Sequence, residues 1–214
     1  MKIFVIHYKI LLDRRKHILE QFRKHNITDY EFIEIDRDEL YNHDISMFQE
    51  NYEKSQIAIS LSHFYAYKQV IEKYENALIF EDDVILSADF TDRLNKYISQ
   101  LPEDYDMLFI GDGCNLHIDH YKLIPNVHIY EKSCYNKDGE NGLITRCTDS
   151  YIINKKCAMK IYDYINNLPK KINLPIDWWL NIAGQDIKIK AYWAEPTIVT
   201  QGTQNGLFKS SHIY

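Results

Sequence analysis

The chain has 214 residues, of which 45% are hydrophobic, and its formal net charge is −6. This length and apolar content fit one α/β domain over residues 1–214 better than two small domains. Because the chain is acidic and has no Lys/Arg-rich block, it lacks the basic surface that binding of nucleic acid requires. No apolar run reaches the roughly 18 residues of a membrane-spanning helix and no secretory signal is visible, so we expect a cytoplasmic protein that could still associate peripherally with a membrane.

The first part of the chain is predicted to form a strand, a helix and a second strand. Arg14 and Arg15 follow the first strand, where a guanidinium can hold a phosphate with two hydrogen bonds; a solvated first helical turn is the alternative, and it fits Arg15 better. Asp36 follows the second strand, where acidic residues of nucleotide-binding folds bind a ribose or a base, although a surface turn explains it equally well. The apolar patterns place these elements at residues 2–7, 13–25 and 30–35.

The next two elements lead to three consecutive carboxylates. Residues 55–74 have the spacing of an amphipathic helix and run directly into a strand at 77–80, which ends in Glu81, Asp82 and Asp83. Ionised carboxylates held side by side repel one another, and a divalent cation bridged to a substrate phosphate relieves that repulsion. The triplet therefore indicates a site for a cation and a nucleotide diphosphate, with a solvated turn or a helix cap as the alternative.

The rest of the chain continues the alternation of strands and helices. This alternation is typical of a layered α/β fold with a mostly parallel sheet, whose ligands bind beyond the carboxyl ends of the strands. The acidic triplet lies at such an end. The predicted helices cover residues 89–101 and 155–168, with another beginning near 176, and the predicted strands cover 107–111, 127–130, 148–154, 187–192 and 197–200.

The cysteines give no sign of a metal site or of a redox motif. They form no C-x-x-C pair and have no neighbouring histidine at zinc-finger spacing, so free thiols in a reducing compartment are expected. The four residues are Cys114, Cys134, Cys147 and Cys157.

Several short motifs follow one another in a fixed order along the chain. They are Asp13-Arg14-Arg15, segment 58–63, Glu81-Asp82-Asp83, segment 106–111, segment 150–153, Pro175-Ile176-Asp177 and Glu195-Pro196. Their order and spacing resemble glycosyltransferase family 25, which includes bacterial lipooligosaccharide sugar transferases and the collagen galactosyltransferases. The resemblance covers nearly the whole chain and implies a GT-A-like fold, a nucleotide-sugar donor and a divalent metal, Mn²⁺ or Mg²⁺. Residues 7–9 depart from the family's usual Asn-Leu-Asp type of run, which leaves the nucleotide open.

The resemblance also implies roles for the triplet and for the C-terminal tail. Asp83 is the first expected metal ligand and Asp82 the second, while Glu81 is expected to orient its neighbours or to bind a ribose hydroxyl. His212 is an expected metal ligand because a late histidine completes the metal sphere in some GT-A enzymes, although a histidine near a C-terminus is usually only exposed. Lys209 is expected to contact the diphosphate once the tail folds over it.

Further residues are expected to contact the donor and the acceptor. By the resemblance, Ser62 and His63 face the donor, whereas a single histidine in a helix is more often a packing residue. An inverting transfer also needs a base for the acceptor hydroxyl. Asp177 is the preferred base because two tryptophans follow it at a predicted helix start and could stack on a sugar, with a plain N-cap aspartate as the alternative. Asp112 is the second candidate base or an acceptor-binding residue, unless it only forms a Gly-Asp-Gly turn.

The sequence thus predicts a metal-dependent, inverting glycosyltransferase that moves galactose or glucose from a UDP-sugar to a glycan or hydroxylated protein acceptor. The alternative is a non-catalytic nucleotide-sugar or glycan-binding module of the same fold, since a fold alone does not establish an activity. A nucleotidyl or phosphoryl transferase would be expected to carry a Gly-rich phosphate loop or a Lys-bearing motif, and the sequence contains neither.

Overall fold

Strands and helices alternate along the part of the chain that the structure describes. The computed structural model describes residues 1–132 and 143–210. The strands in these ranges are β1 (Lys2–Ile6), β2 (Tyr30–Ile33), β3 (Asn76–Glu81), β4 (Val84–Leu86), β5 (Met107–Phe109), β6 (Ile129–Glu131), β7 (Ser150–Asn154), β8 (Ala191–Ala194) and β9 (Val199–Gln201). The α-helices are α1 (Leu12–Lys24), α2 (Lys54–Lys73), α3 (Phe90–Ile98), α4 (Lys155–Asn166) and α5 (Ile176–Asp186).

The main sheet is mixed and mostly parallel, which confirms the prediction. Its seven strands have the order β2-β1-β3-β7-β5-β8-β6. β1 is parallel to β2 and β3, and β5 is parallel to β8. β7 is antiparallel to both β3 and β5, and β6 is antiparallel to β8. Five strands therefore run in one direction, and the reversed strand β7 lies between β3 and β5.

Helices cover both faces of this sheet because successive side chains of a strand point to opposite faces. Along β1, Phe4 and Ile6 belong to the core that α2, α4 and α5 cover. Ile3 and Val5 belong to the core on the other face, which α1 and α3 cover. In neither described range is there a helix both long and apolar enough to cross a membrane.

The C-terminal segment folds back onto the acidic triplet through a second, two-stranded sheet. β4, directly after the triplet, pairs antiparallel with β9. Beyond β9, the amide of Gly202 donates a hydrogen bond of 2.6 Å to the carbonyl of Asp83. A Cβ at residue 202 would lie 2.8 Å from that carbonyl and 2.7 Å from the ring of Phe208, so the close approach requires glycine.

One predicted strand is displaced along the chain. The strand predicted at 187–192 begins only at Ala191, because α5 continues to Asp186 and Ile187 caps it. Lys188 then takes a left-handed backbone conformation with φ of 56°. Apolar spacing alone could not place this helix end, since no glycine or proline marks it.

Candidate active site

A polar cleft lies at the carboxyl ends of β1 and β3. These two strands are parallel neighbours, so the residues that follow them meet at one edge of the sheet. The cleft contains about 790 Å³ of space including the part open to solvent, a size suited to a small-molecule ligand. The residues that sequence reasoning selected and that line it are Arg14, Ser62, Glu81, Asp82 and Asp83.

Asp82 lines the cleft, but both of its carboxylate oxygens are engaged by protein groups. Arg14 donates to Oδ1 through Nη1 at 2.7 Å, and the His7 ring nitrogen Nδ1 lies 2.8 Å from Oδ2. The amide of Tyr8 also points at Oδ2, at 3.4 Å. Asp82 and Arg14 are both buried, at 5% exposure each. Asp82 therefore links the end of β1 and helix α1 to the acidic strand end, and its predicted role as the second metal ligand stays a prediction.

Arg14 also lines the cleft, and in this structure it is a partner of the triplet; the phosphate contact predicted from the sequence stays a prediction. Besides its pair with Asp82, its Nη2 donates to the main-chain carbonyl of Lys209 at 2.7 Å. Its guanidinium also lies over the ring of Phe208, 5.5 Å from the centroid. Arg14 thus ties the C-terminal tail to the floor of the cleft.

Replacing Arg14 with methionine should lower the free energy of unfolding by about 3 kcal/mol, because the change leaves the buried Asp82 without its cationic partner. Arg15→Met is the matched control on the same helix. Arg15 is paired with the partly exposed Glu34 and lies 4.0 Å over Phe32, so its loss should cost about 1 kcal/mol or less. Urea denaturation of both variants measures the difference, and equal losses would contradict the assigned role of Arg14.

Asp83 has one carboxylate oxygen held by the tail and one without a partner. Its Oδ2 accepts hydrogen bonds from the amide of Thr203, at 3.2 Å, and from the Thr203 hydroxyl. Its Oδ1 is buried and has no hydrogen-bond partner among the described residues. Burial raises the pKa of the Asp83 carboxyl, the charge of Glu81 raises it further, and the Thr203 hydrogen bond and Arg14 oppose this shift.

The unpartnered oxygen of Asp83 fits a hard divalent cation, which prefers carboxylate oxygens. Within residues 1–132 and 143–210, no three His, Cys, Asp or Glu side chains are grouped so that they could enclose a metal ion. Mg²⁺ and similar cations are commonly bound by one or two carboxylates together with substrate phosphates and water. The arrangement therefore fits a cation that arrives with a phosphorylated ligand, not one enclosed by the protein alone.

Glu81 lines the cleft, while His63 lies behind it. Thr148 donates a hydrogen bond of 2.8 Å to Oε1 of Glu81, and Nε2 of His63 lies 3.7 Å from the same oxygen. The His63 ring is fully buried, and its Nδ1 lies 2.7 Å from the Tyr151 hydroxyl. That hydroxyl in turn bonds to the hydroxyl of Tyr67 at 2.7 Å. His63 therefore supports Glu81 from the core side, and a direct contact with a donor would require it to leave this network.

The remaining predicted donor-binding residues have assigned contacts of their own. Asp36 accepts hydrogen bonds from Lys9, at 2.8 Å, and from the amide of Asp38, at 2.9 Å. The hydrogen bond from Lys9 holds the pKa of the Asp36 carboxyl below its usual value.

Ser62 lines the cleft but donates its hydroxyl to the carbonyl of Ala58 at 2.8 Å. The side chain of Lys209 is exposed. His212 lies outside the described residues.

Asp177 is in the first turn of α5, near Glu81. The helix is capped at Pro175, so Asp177 is not the N-cap residue that the alternative interpretation required. Burial raises the pKa of the Asp177 carboxyl; the neighbouring amide of Trp178 lowers it and the charge of Glu81 raises it. The charge of Glu81 thus raises the pKa of both Asp83 and Asp177.

Asp112 follows β5 and forms the turn that the alternative interpretation predicted, while its role as a base or acceptor ligand stays a prediction. Its main-chain carbonyl accepts the amide of Leu116 at 2.7 Å, and Gly113 has a positive φ of 23°, as a tight turn requires. Its side-chain oxygen Oδ1 is nevertheless buried and without a hydrogen-bond partner among the described residues. The turn therefore presents an unsatisfied carboxylate oxygen beside the other acidic groups.

Asp149 is a further acidic neighbour, and sequence reasoning missed it. It is fully buried directly before β7, its main-chain carbonyl accepts the amide of Glu81 at 2.8 Å, and its Oδ2 accepts the hydroxyl of Ser150 at 2.8 Å. Burial raises the pKa of its carboxyl well above the usual value, and the charges of Glu81, Asp83 and Asp112 add to the shift. Only the reversed direction of β7 brings the start of that strand to the carboxyl end of β3. Sequence periodicity does not report direction, so the sole signal was an acidic residue within a predicted strand.

The two tryptophans after Asp177 have different environments. Trp179 is 5% exposed and packs edge-on against Phe64, with ring centroids 5.3 Å apart. Trp178 is 56% exposed. The sequence could not separate them, because adjacent residues of a helix differ by about 100° in direction and either could have faced the core. Trp178 is thus open to solvent, directly after Asp177 in the chain, and Trp179 is part of the core.

Comparison with known proteins gives a family match and several relatives. A family model described as glycosyltransferase family 25 (LPS biosynthesis protein) matches residues 1–180. A protein of Acanthamoeba polyphaga mimivirus that is named as a glycosyltransferase is 28% identical over 124 residues, which are 54% of this chain and 38% of that protein. The procollagen lysyl hydroxylase and glycosyltransferase of the same virus is 26% identical over 161 residues, which are 67% of this chain and 17% of that protein.

The structural comparison extends this likeness to the fold. The crystal structure of residues 1–349 of S. aureus TarS superposes with a TM-score of 0.51 at 14% identity, covering 94% of this chain and 60% of that one. At this identity the likeness concerns the fold alone. The chain spans less than half of the length of either viral relative.

Proposed function

The chain belongs to glycosyltransferase family 25 and is a glycosyltransferase of GT-A-like fold, and on this premise we propose that it transfers a hexose from a UDP-sugar with the help of a divalent cation. The hexose is galactose or glucose, the acceptor is a glycan or a hydroxylated protein side chain, and the anomeric configuration is inverted. The observation that carries the proposal is the unpartnered, buried Oδ1 of Asp83 in the cleft where β1 and β3 end.

On the donor side, Asp83 is the residue that would hold the cation, which is Mn²⁺ or Mg²⁺. A cation there would act as a Lewis acid for the negative charge that develops on the leaving diphosphate. Asp82 supports this role indirectly, because its pair with Arg14 fixes the main chain next to Asp83. Thr203 fixes the other oxygen of Asp83, so that Oδ1 keeps a single orientation. The protein thus offers one oriented carboxylate oxygen, and the donor phosphates and water complete the coordination.

On the acceptor side, we assign Asp177 as the base. A base must take the proton of the acceptor hydroxyl as that oxygen attacks the sugar from the face opposite the diphosphate. Burial raises the pKa of Asp177, which makes it a stronger proton acceptor than a solvated aspartate. The charge of Glu81 raises the pKa of both Asp83 and Asp177, which supports placing the proposed metal ligand and the proposed base in the same site. Asp112 is the second candidate for the base.

Trp178 should support binding of the acceptor. An exposed indole beside the base can stack on the apolar face of a hexose ring. Trp178→Ala should raise the KM for a glycan acceptor by about tenfold and leave the KM for the UDP-sugar unchanged, whereas Trp178→Phe should retain most of the acceptor affinity. Ile182, 47% exposed one turn along the same helix, provides the control variant Ile182→Ala. An unchanged acceptor KM in Trp178→Ala would remove Trp178 from the acceptor site.

Release of UDP tests the whole proposal. The protein is incubated with Mn²⁺ and either UDP-galactose or UDP-glucose. Parallel reactions contain or lack a disaccharide acceptor, lactose or glucosyl-galactose, and the UDP released is quantified. A transferase releases UDP in a Mn²⁺-dependent manner and faster with an acceptor. A non-catalytic binding module of the same fold would instead show only a rise in Tm with the UDP-sugar, because a ligand that binds the native state stabilises it without turnover.

A further inference from the structure

Two cysteine thiols that are distant in sequence lie in contact next to the acidic region. The sulfurs of Cys114 and Cys147 are 3.5 Å apart. Cys114 is exposed in the turn after β5, and Cys147 is half-buried in the segment before β7. We propose that these two residues are a redox modification site that forms a reversible intramolecular disulfide. In the structure both thiols are free, as the sequence predicted, and the proposal concerns their oxidised form.

The two segments are already held together independently of the sulfurs. The main chain of Gly113 lies so close to the carbonyl of Arg146 that a side chain at residue 113 could not fit. The fully buried Arg146 donates through Nε to the carbonyl of Leu116 and through Nη1 to the carbonyl of Ala194 at 2.8 Å. The disulfide bond length is about 2 Å, so the sulfurs need to approach by about 1.5 Å for the bond to form.

The chemistry requires an oxidant, for which a low-molecular-weight disulfide such as oxidised glutathione suffices. The exposed Cys114 thiolate attacks one sulfur of that disulfide, forms a mixed disulfide and releases one small thiol. The Cys147 sulfur then attacks the Cys114 sulfur and releases the second small thiol. Two protein S–H bonds are replaced by one S–S bond, and the two electrons and two protons reduce the oxidant to two thiols. Burial raises the pKa of the Cys147 thiol, which makes Cys114 the first attacking residue.

The disulfide would join two segments that carry acidic residues, the turn after β5 and the segment before β7. Asp112 lies two residues before Cys114, and Asp149 lies two residues after Cys147. The C-terminal tail also contacts this pair, since Nε2 of Gln204 lies 3.3 Å from the Cys114 sulfur. Oxidation would therefore fix the turn after β5 against the segment before β7. Any effect on sugar transfer rests on the proposed function, whereas formation of the bond does not.

Mass spectrometry of the 214-residue chain tests the proposal without donor or metal. The reduced protein is incubated with oxidised glutathione, quenched with an alkylating reagent and digested. The expected result is an intact mass lower by two hydrogen atoms before alkylation, a peptide containing Cys114 linked to one containing Cys147, and a Tm higher by roughly 5–10 °C that dithiothreitol reverses. Hydrogen exchange should slow in residues 113–118 of the oxidised form.

Three variants complete the test. Cys114→Ser and Cys147→Ser should each abolish the linked peptide and the Tm increase, while Cys157→Ser, which changes a fully buried thiol outside this pair, should retain both. Circular dichroism verifies that each variant is folded, and a Cys147→Ala variant replaces Cys147→Ser if the hydroxyl is not tolerated. Separate glutathione adducts on Cys114 and Cys147, a link through Cys134, or a lower Tm in the linked wild-type protein would each overturn the proposal.

Discussion

Replacing Asp83 with asparagine should reduce Mn²⁺-dependent release of UDP from UDP-galactose or UDP-glucose by at least about a hundredfold. The amide has nearly the shape of the carboxylate and can still accept the Thr203 hydrogen bonds, but it lacks the charge that a divalent cation requires. The fold should persist, because burial and the neighbouring charge of Glu81 already oppose ionisation of Asp83. Steady-state UDP release over a range of Mn²⁺ concentrations measures the effect.

The control for this variant is Asp92→Asn, which removes one negative charge from the exposed surface of α3. Its activity and its Mn²⁺ dependence should equal those of the wild type. The metal role of Asp83 would be rejected if Asp83→Asn kept full activity in the presence of excess chelator. A variant that loses both activity and cooperative unfolding would be repeated as Asp83→Ala, since only a folded and inactive protein supports the assignment.

The second large effect is expected at Asp177. Asp177→Asn should bind the UDP-sugar normally and transfer the sugar roughly a hundred to ten thousand times more slowly, which is the usual contribution of a general base. The pKa of Asp177 is raised by burial, and an amide in the same position cannot take a proton at any pH. The Tm increase with UDP-sugar reports donor binding, and acceptor-dependent UDP release reports transfer.

Asp112→Asn decides between the two candidate bases. If Asp177 is the base, Asp112→Asn should lose much less activity than Asp177→Asn, because Asp112 then only contributes charge and turn geometry. The reverse order of the two losses would transfer the role of the base to Asp112. Unchanged transfer in Asp177→Asn would leave that residue with a structural role in the first turn of α5.

The elements that form the donor side of the cleft were predictable from the sequence. Lys2–Ile6 and Asn76–Glu81 are short apolar runs, and buried parallel strands have this pattern. Since ligands of parallel sheets bind beyond the carboxyl ends of the strands, the position of the triplet at such an end was enough to predict the cleft. The sequence also predicted that Arg14 and the triplet belong to one region, although not that Arg14 pairs with Asp82.

The individual roles within the triplet were not predictable. Asp82 and Asp83 are adjacent and chemically identical, and the difference between them comes from residues far away in the chain. Arg14 and His7 contact both oxygens of Asp82, whereas Thr203 binds only one oxygen of Asp83. Hydrogen bonds between residues more than 60 positions apart leave no periodic signal in a sequence, so only the folded chain shows which carboxylate keeps a free oxygen.

The sequence by itself determined the α/β class, the family and the position of the acidic triplet. Apolar periodicity and local motifs each involve only a few neighbouring residues, so they can be read without knowing the direction in which a strand runs in the sheet. The tertiary structure decided which side chains share the site. It reversed β7 so that Asp149 joined the carboxylates, folded the tail over Asp83, and separated the exposed Trp178 from the buried Trp179. These outcomes depend on strand direction and long-range packing, which arise from the free energy of the whole chain and not from any local pattern.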